Sequence, residues 1–339
     1  MISAIDFPTE NDQNFNDDLK VTEVKVSSGK LLLYDKFPSN LISQRKVYVW
    51  LPDDYSEKKK YDVVYMHDGQ MLFDESITWN HQKWGVDATV SSLISSNKVN
   101  DCIIVGIWYI TDKRMDDYFP QKILKYMHAD EYTEFCKKFN PLDFHPDNYL
   151  QFIVSELKPY IDSHFSTSIN RENTFLMGAS MGGLISLYGV CEYPDIFGGA
   201  GCLSLHTLIV TQKLSTEHIT RIASQAFCRY LKQNLPMTNS SRIYIDYGNK
   251  TLDSKYVSSQ PKIDEILRDA GWKVPYWTTN FYPGMAHCEN DWASRLFVPL
   301  MFLLGKSIAI IYDNDSLFIG ISISPNSIIA LNSLIALYL

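Results

Sequence analysis

Short apolar runs alternate with amphipathic segments along most of the chain, and this alternation predicts the fold. Residues 45–51 alternate like a half-buried strand, whereas 61–66 and 101–107 are almost continuously apolar. The second pattern is typical of strands that are buried on both faces of a parallel sheet. The predicted strands are 21–26, 30–34, 45–51, 61–66, 101–107, 174–177, 197–204, 242–246 and 276–281, and the predicted helices are 86–97, 148–165, 184–190, 257–270 and 291–304. We therefore expect an α/β fold with a mostly parallel central sheet and helices on both faces.

A Gly-x-Ser-x-Gly pattern stands between one of these strands and the helix that follows it. The pattern makes a sharp turn that holds a serine hydroxyl at the carboxyl end of a strand, ready to attack a carbonyl carbon. Such a turn is crowded, so the positions two before and two after the serine must be small, as Gly178 and Gly182 are. We predict that Ser180 is a nucleophile. The alternative is a Gly/Ser loop that only turns the chain.

Two backbone N–H groups are predicted to bind the negative charge that develops on a substrate oxygen. One belongs to Met181, at the start of the helix after the serine. The other is expected in the loop after the fourth strand, where we predict Gln70, with Gly69 as the next candidate and as part of the substrate pocket. The alternative is an ordinary turn. His67 precedes the serine and is interpreted as a structural residue.

A serine is a weak nucleophile until a base takes its proton, and in folds of this kind the acid and then the histidine follow it along the chain. His287 fits as base because it follows the last strand and precedes the closing helix. His206 precedes every candidate acid and is predicted to line the pocket. Asp253 is the preferred acid, since it lies in a loop from which a side chain can reach His287. Asp246, still within its strand, and a Ser–His dyad are the alternatives.

Two segments interrupt the regular alternation. Residues 108–148 are rich in aromatic and charged residues, and we predict an irregular segment over the sheet, with Trp108 in the substrate pocket. A surface covering that does not touch substrate is the alternative. Residues 207–240 are predicted to form a mostly helical insertion, similar to a small cap.

These predictions divide the chain into a lead-in with edge strands (1–40), a catalytic α/β domain (41–304) and an appendage of unknown role (305–339). The stretch 316–339 carries no charge, but Pro325, Asn326 and Asn332 interrupt it, so a membrane anchor is disfavoured.

Composition narrows the classes of partner. The formal net charge is −8, which does not favour nucleic acid or an anionic membrane surface. The six cysteines occur singly, without the spacing of a zinc site, and no phosphate-binding glycine loop occurs, so we expect neither metal nor cofactor. The amino terminus lacks the pattern of a signal peptide, which predicts a cytoplasmic protein unless the sequence has been trimmed. No pattern indicates an oligomeric state.

Four blocks of sequence carry a resemblance to a known family: RKVYVWLPDDY from 45, YMHDGQMLF from 65, FLMGASMGGL from 175, and 281–304 with His287, Trp292 and Arg295. Together they resemble the "Putative esterase" family of α/β hydrolases, which contains esterase D, ferric-enterobactin esterases, and feruloyl and acetyl xylan esterases. IYIDYGNKTLD is similar to the family's acid-bearing loop. The resemblance spans about 28–304. A departure at 204–207, where relatives often have an aromatic residue after the histidine, affects one pocket wall.

The resemblance implies the α/β-hydrolase fold and hydrolysis of a carboxylic ester without a cofactor. Ser180 would be the nucleophile and His287 the base, on a small-molecule or carbohydrate-linked ester. An acyltransferase with the same triad, or a non-catalytic binding protein on a hydrolase scaffold, are the alternative functions.

Overall fold

One mixed sheet organises the chain. The structure is a computed structural model that describes residues 20–210 and 215–306. Its strands are β1 (Val21–Val24), β2 (Lys30–Phe37), β3 (Arg45–Leu51), β4 (Asp62–His67), β5 (Cys102–Ile107), β6 (Thr174–Ala179), β7 (Gly199–Leu203), β8 (Arg242–Tyr247) and β9 (Trp277–Phe281). The order across the sheet is β1-β2-β3-β5-β4-β6-β7-β8-β9. Pairing is antiparallel from β1 to β5 and parallel from β5 to β9. The predicted α/β fold with a mostly parallel sheet is confirmed.

Helices flank this sheet along most of its length. They are α1 (Val86–Ser95), α2 (Arg114–Tyr118), α3 (Ala129–Cys136), α4 (Pro146–Phe152), α5 (Lys158–His164), α6 (Met181–Glu192), α7 (Glu217–Asn234), α8 (Gln260–Asp269), α9 (Glu289–Arg295) and α10 (Phe297–Leu304). A π-helical turn, Ile153–Leu157, joins α4 to α5, so the predicted helix 148–165 is continuous but irregular. None of the helices in the described residues is long and apolar enough to cross a bilayer.

The strand side chains divide between two hydrophobic cores, one on each face of the sheet. On β4, Val63 and Tyr65 belong to the core under α4–α8, whereas Val64 and Met66 belong to the core under α1, α9 and α10. This division follows from the two-residue period of a strand. Each fully buried apolar side chain contributes about 1.5–3 kcal/mol. The continuous apolar runs therefore exist because both faces are covered.

The segment 108–148 is not irregular as predicted. It contains α2, α3 and 3₁₀ turns, and the Glu131 carboxylate accepts the His128 N–H at 2.9 Å to cap α3. Several of its aromatic side chains are buried, and the rings of Phe119 and Phe144 stack with centroids 4.1 Å apart. Most of the aromatic residues predicted to lie near substrate are thus part of the core.

The insertion 207–240 contains α7, which packs beside α6, α8 and the turn 121–126. Its apolar side chains join the core on that face of the sheet. Residues 1–19, 211–214 and 307–339 lie outside the described residues, as does most of the predicted appendage.

Candidate active site

Ser180 occupies a strained turn between β6 and α6. Its backbone has φ 58° and ψ −122°, a conformation that residues with a side chain rarely adopt. The turn is possible because its neighbours are small: a Cβ on Gly178 would lie 2.7 Å from the carbonyl carbon of Gly182. The Ser180 N–H donates to the Leu203 carbonyl at 2.9 Å, which ties the turn to the end of β7. The predicted elbow geometry is therefore present, with the serine at the carboxyl end of a central strand.

His287 and Asp253 are in direct contact. The His287 Nδ1 lies 2.6 Å from Asp253 Oδ1, and the His287 N–H donates to Thr251 Oγ1 at 2.8 Å. The other carboxylate oxygen, Oδ2, accepts from the Gly248 N–H at 2.7 Å and from Ser204 Oγ at 2.6 Å. Burial raises the pKa of Asp253, but His287, Ser204 and Gly248 outweigh burial and hold this pKa below its ordinary value. The carboxylate is thus kept ionised and fixed against the imidazole.

Asp246, the alternative acid, has a different partner. Its carboxylate is fully buried and forms a bidentate ion pair with Arg295, with Nε–Oδ2 3.1 Å and Nη2–Oδ1 3.0 Å. It also accepts the Ser204 N–H at 2.9 Å and the Tyr244 hydroxyl at 3.1 Å. Burial raises its pKa, against the opposing effect of Arg295. Both carboxylate oxygens are thus engaged by groups other than His287, which favours Asp253 as the acid.

Ser204 joins these two carboxylates, a role that the sequence analysis did not assign. Its hydroxyl donates to Asp253 and accepts from Trp292 Nε1 at 2.9 Å and Arg295 Nη2 at 3.1 Å. Its backbone has φ 43°. Its position in the sequence could have indicated this role. Ser204 directly follows β7, the strand between those that lead to Ser180 and Asp253.

The two predicted oxyanion donors belong to different parts of the fold, the start of α6 and the turn after β4. Met181 begins α6, so its N–H has no acceptor within the helix. Gln70 lies in a 3₁₀ turn, Gly69–Met71, and its side-chain amide pairs with the backbone of Tyr109 at 3.2 and 3.3 Å. The carboxylate of Asp68, which precedes this turn, lies 3.1 Å from where a Cβ on Gly182 would stand. The turn therefore lies against the start of α6, and the oxyanion roles of Met181 and Gln70 stay predictions.

A cavity of about 370 Å³ opens beside Ser180 and His287. Its lining consists of Asp68, Met71, Trp79, Asn80, Gln82, Trp84, Tyr109, Arg114, Ala179, Ser180, His287, Cys288, Glu289 and Trp292. The wall formed by 78–84 is held against α9, because Asn80 Nδ2 donates to Glu289 Oε2 at 2.5 Å and the Asn290 N–H donates to Gln82 Oε1 at 3.2 Å. This wall was missed by the sequence analysis, and the described residues of the insertion 207–240 do not line the cavity.

The three residues predicted to line the substrate pocket are placed elsewhere. Gly69 packs on β5, where a Cβ would lie 2.6 Å from the Gly106 carbonyl carbon. Trp108 packs against Tyr48, with ring centroids 5.5 Å apart. His206 is buried next to Ser180, and its backbone N–H donates to the Ser180 carbonyl at 3.3 Å. None of the three is among the lining residues of this cavity.

Arg114 is held at one wall of the cavity. Its Nε and Nη2 donate to the two carboxylate oxygens of Asp68 at 2.7 and 2.8 Å. Its guanidinium carbon lies 5.5 Å from the Tyr109 ring centroid and 5.2 Å from that of Tyr118. A bidentate pair between two rings leaves the arginine little freedom.

Within the described residues, no group of three or more potential metal ligands occurs.

Two buried histidines should make stability depend on pH. Burial, the largest cause, lowers the pKa of His67 and of His206 to about 3. The folded protein keeps both imidazoles neutral down to about this pH, whereas in the unfolded chain a histidine binds a proton below about 6.5. Between these values the unfolded state binds more protons, so stability falls as the pH is lowered.

We expect His67→Gln to reduce this effect. One histidine accounts for about 2 kcal/mol of the stability lost between pH 7 and pH 5. Urea unfolding of wild type and variant at both pH values measures the difference, regardless of any constant cost of the substitution. An unchanged difference between the two pH values would show that His67 does bind a proton in the folded protein.

Comparison with known proteins places this arrangement in a family. The sequence profile of the family described as "Putative esterase" matches residues 39–302. A protein of Bacillus subtilis (strain 168), "Uncharacterized protein YbbA", is 26% identical over 270 residues, which are 78% of this chain and 94% of the relative.

Solved structures share the fold. The ferulic acid esterase AmCE1/Fae1A from Anaeromyces mucronatus is 23% identical, with a TM-score of 0.56 over 82% of this chain and 91% of that one. The enterobactin esterase FES from Shigella flexneri is 16% identical, with a TM-score of 0.57 over 81% of this chain and 59% of that one. Because the family profile covers most of the chain and the fold agrees with it, this chain belongs to the "Putative esterase" family and is an ester hydrolase of the α/β-hydrolase fold.

Proposed function

We propose that the protein hydrolyses carboxylic esters through an acyl-enzyme on Ser180, with His287 as base and Asp253 as acid. The observation that carries this proposal is the 2.6 Å contact between His287 Nδ1 and Asp253 Oδ1, beside the strained turn of Ser180. Since Nδ1 faces the carboxylate, Nε2 is the nitrogen left to exchange a proton with the serine and the substrate.

The reaction proceeds in two halves. Ser180 Oγ attacks the carbonyl carbon while its proton moves to His287 Nε2, and the backbone N–H groups of Met181 and Gln70 bind the resulting oxyanion. The imidazolium then gives the proton to the departing alcohol oxygen, which leaves an acyl group on Ser180. A water molecule, deprotonated by the same histidine, attacks the acyl carbon and releases the acid. Asp253 holds the imidazole tautomer and stabilises the imidazolium throughout.

We propose a small-molecule or carbohydrate-linked ester as the substrate. A cavity of about 370 Å³ lies in the size range of small-molecule sites, and its walls combine aromatic rings with a few polar groups. The structural neighbours are a ferulic acid esterase and an enterobactin esterase, which supports an ester of this class as substrate. All six cysteines are unpaired, which supports a reducing compartment such as the cytoplasm.

Labelling with a fluorophosphonate tests the nucleophile. This reagent phosphonylates a serine only where a base activates it and an oxyanion site receives the phosphoryl oxygen. We expect one adduct per folded chain, mapped by peptide mass spectrometry to the peptide that contains Ser180, and no adduct in Ser180→Ala. Ser95→Ala is the matched control and should be labelled like the wild type, since it removes an exposed hydroxyl of α1 outside the cavity lining. Labelling elsewhere, or none, would contradict the proposed mechanism.

A further inference from the structure

The charges that line the active-site cavity do not cancel. Besides His287, the charged lining residues are Asp68, Arg114 and Glu289. Asp68 and Arg114 neutralise each other in their bidentate pair. Glu289 has no cationic partner in the cavity lining, because its Oε2 accepts from the neutral amide of Asn80 at 2.5 Å. One carboxylate therefore gives the cavity a net negative charge.

Glu289 lines the cavity together with His287, the residue proposed to protonate the departing alcohol. It follows His287 by two residues, at the start of α9, and its side chain is only 7% exposed. The imidazole that donates a proton to the leaving alcohol thus stands beside it. The pKa of Tyr109 is raised mainly by burial and by Asp68, against Arg114 and Gln70, and Glu289 makes the smallest contribution to this increase. In a half-closed cavity such a charge is screened less than on the open surface.

Aromatic rings complete this part of the cavity. Trp84 and Trp292 pack against each other, with ring centroids 5.6 Å apart, and Tyr109 lies on the wall that carries Arg114. Trp79 stands at the cavity with 75% of its surface exposed. The faces of aromatic rings attract cations, and quaternary ammonium groups are recognised in this way. Trp79 is the ring that is open to such a ligand, because Trp84 and Trp292 are 2% and 6% exposed.

We propose that this cavity prefers esters whose alcohol part carries a positive charge, with Glu289 as the residue that determines the preference. This inference rests on the proposed function, and it names a class of substrate for the same site. A cationic alcohol would lie with its charge near Glu289 and its alkyl surface against Trp79. An alcohol that carries a carboxylate would meet the repulsion of Glu289.

An isosteric pair of substrates tests the proposal. Choline butyrate and 3,3-dimethylbutyl butyrate have the same acyl group and nearly the same shape, and differ by one positive charge. At low ionic strength we expect kcat/KM of wild type to be about tenfold higher for the choline ester, and 0.5 M salt to reduce this ratio. In Glu289→Gln the ratio should fall to within about twofold of one, since the amide keeps a hydrogen-bonding group for Asn80 but lacks the charge.

Two further variants separate charge from structure. Asn80→Ala removes the contact that holds 78–84 against Glu289 but retains the carboxylate, so the preference for the choline ester should persist. Glu75→Gln removes an exposed carboxylate that pairs with Lys83 at 2.6 Å outside the cavity lining, and should leave the ratio unchanged.

The inference is overturned if wild type hydrolyses the neutral ester at least as well as the choline ester, or if Glu289→Gln retains the preference. Failure to hydrolyse either ester by protein that is still labelled by fluorophosphonate also overturns it, while leaving the proposed function intact. Loss of labelling itself would overturn both.

Discussion

Ser180→Ala is expected to lower kcat by about 10⁴-fold or more on any ester that the wild type hydrolyses. The substitution removes the proposed nucleophile, while the cavity and the predicted oxyanion donors stay in place. Residual activity above the uncatalysed rate would then come from binding and from the N–H groups of Met181 and Gln70. A p-nitrophenyl series from acetate to octanoate provides the measurement, and its dependence on chain length measures the acyl pocket.

His287→Ala should produce a loss of similar size, and the double variant should be no worse than either single one. The effects of substituting residues that act in the same step are not additive, because once one residue is removed the other no longer contributes to the rate. Losses that multiply in the double variant would indicate two independent contributions and would argue against a Ser–His pair. Ser180 has φ 58°, a backbone conformation that alanine also rarely adopts, so the substitution could disturb the turn. Circular dichroism of each variant should therefore be measured together with the rates, to show that the fold is retained.

Asp253→Asn is expected to lower kcat by about 10⁴-fold, because an amide can hold the imidazole in the wrong tautomer and cannot stabilise the imidazolium. The contact that fails is the 2.6 Å bond between Asp253 Oδ1 and His287 Nδ1. The same variant loses part of its bonding to Ser204 and Gly248, so a modest loss of stability, about 1–3 kcal/mol, should accompany the loss of rate.

Asp246→Asn is the matched comparison, and its main effect should be on stability. It leaves Arg295, whose side chain is 2% exposed, without its counter-charge. Breaking a buried pair in this way costs about 3–5 kcal/mol of unfolding free energy. Urea unfolding and steady-state kinetics on the two variants separate the roles. A folded Asp246→Asn that loses 10⁴-fold in kcat, beside an active Asp253→Asn, would make Asp246 the acid.

The sequence predicted the parts of the fold that depend on local pattern. Strands β4, β5 and β6 are apolar on both faces and read directly as central strands of a parallel sheet. The turn at Ser180 was predicted because a strained backbone requires small residues such as Gly178 and Gly182 around it. A requirement of this kind can be recognised in the amino-acid sequence itself. The contact of Asp253 with His287 followed from chain order, since loops after parallel strands meet at one edge of the sheet.

The cavity walls were harder to predict, because they depend on which way side chains point after long-range packing. His206 lies next to Ser180 in space, yet its ring turns into the protein and contacts the Tyr256 hydroxyl at 2.6 Å. The wall that contains Trp79 and Asn80 comes from a segment with no strand or helix pattern, held in place by a contact with Glu289 more than 200 positions away. The hydrophobic periodicity of a segment does not predict a contact between residues so far apart in the sequence.

The elements that meet at Ser204 have a consequence for folding kinetics. Ser180, Ser204, Asp253 and His287 each follow a different strand, and these four strands, β6 to β9, are neighbours joined only by parallel pairing. Each pairing closes a long loop before its contacts can stabilise it, which is slow compared with collapse or helix formation. The hydrogen bonds that hold the proposed triad therefore exist only after the last of these closures. Recovery of activity is accordingly a stricter measure of complete folding than recovery of helical signal or of buried tryptophan fluorescence.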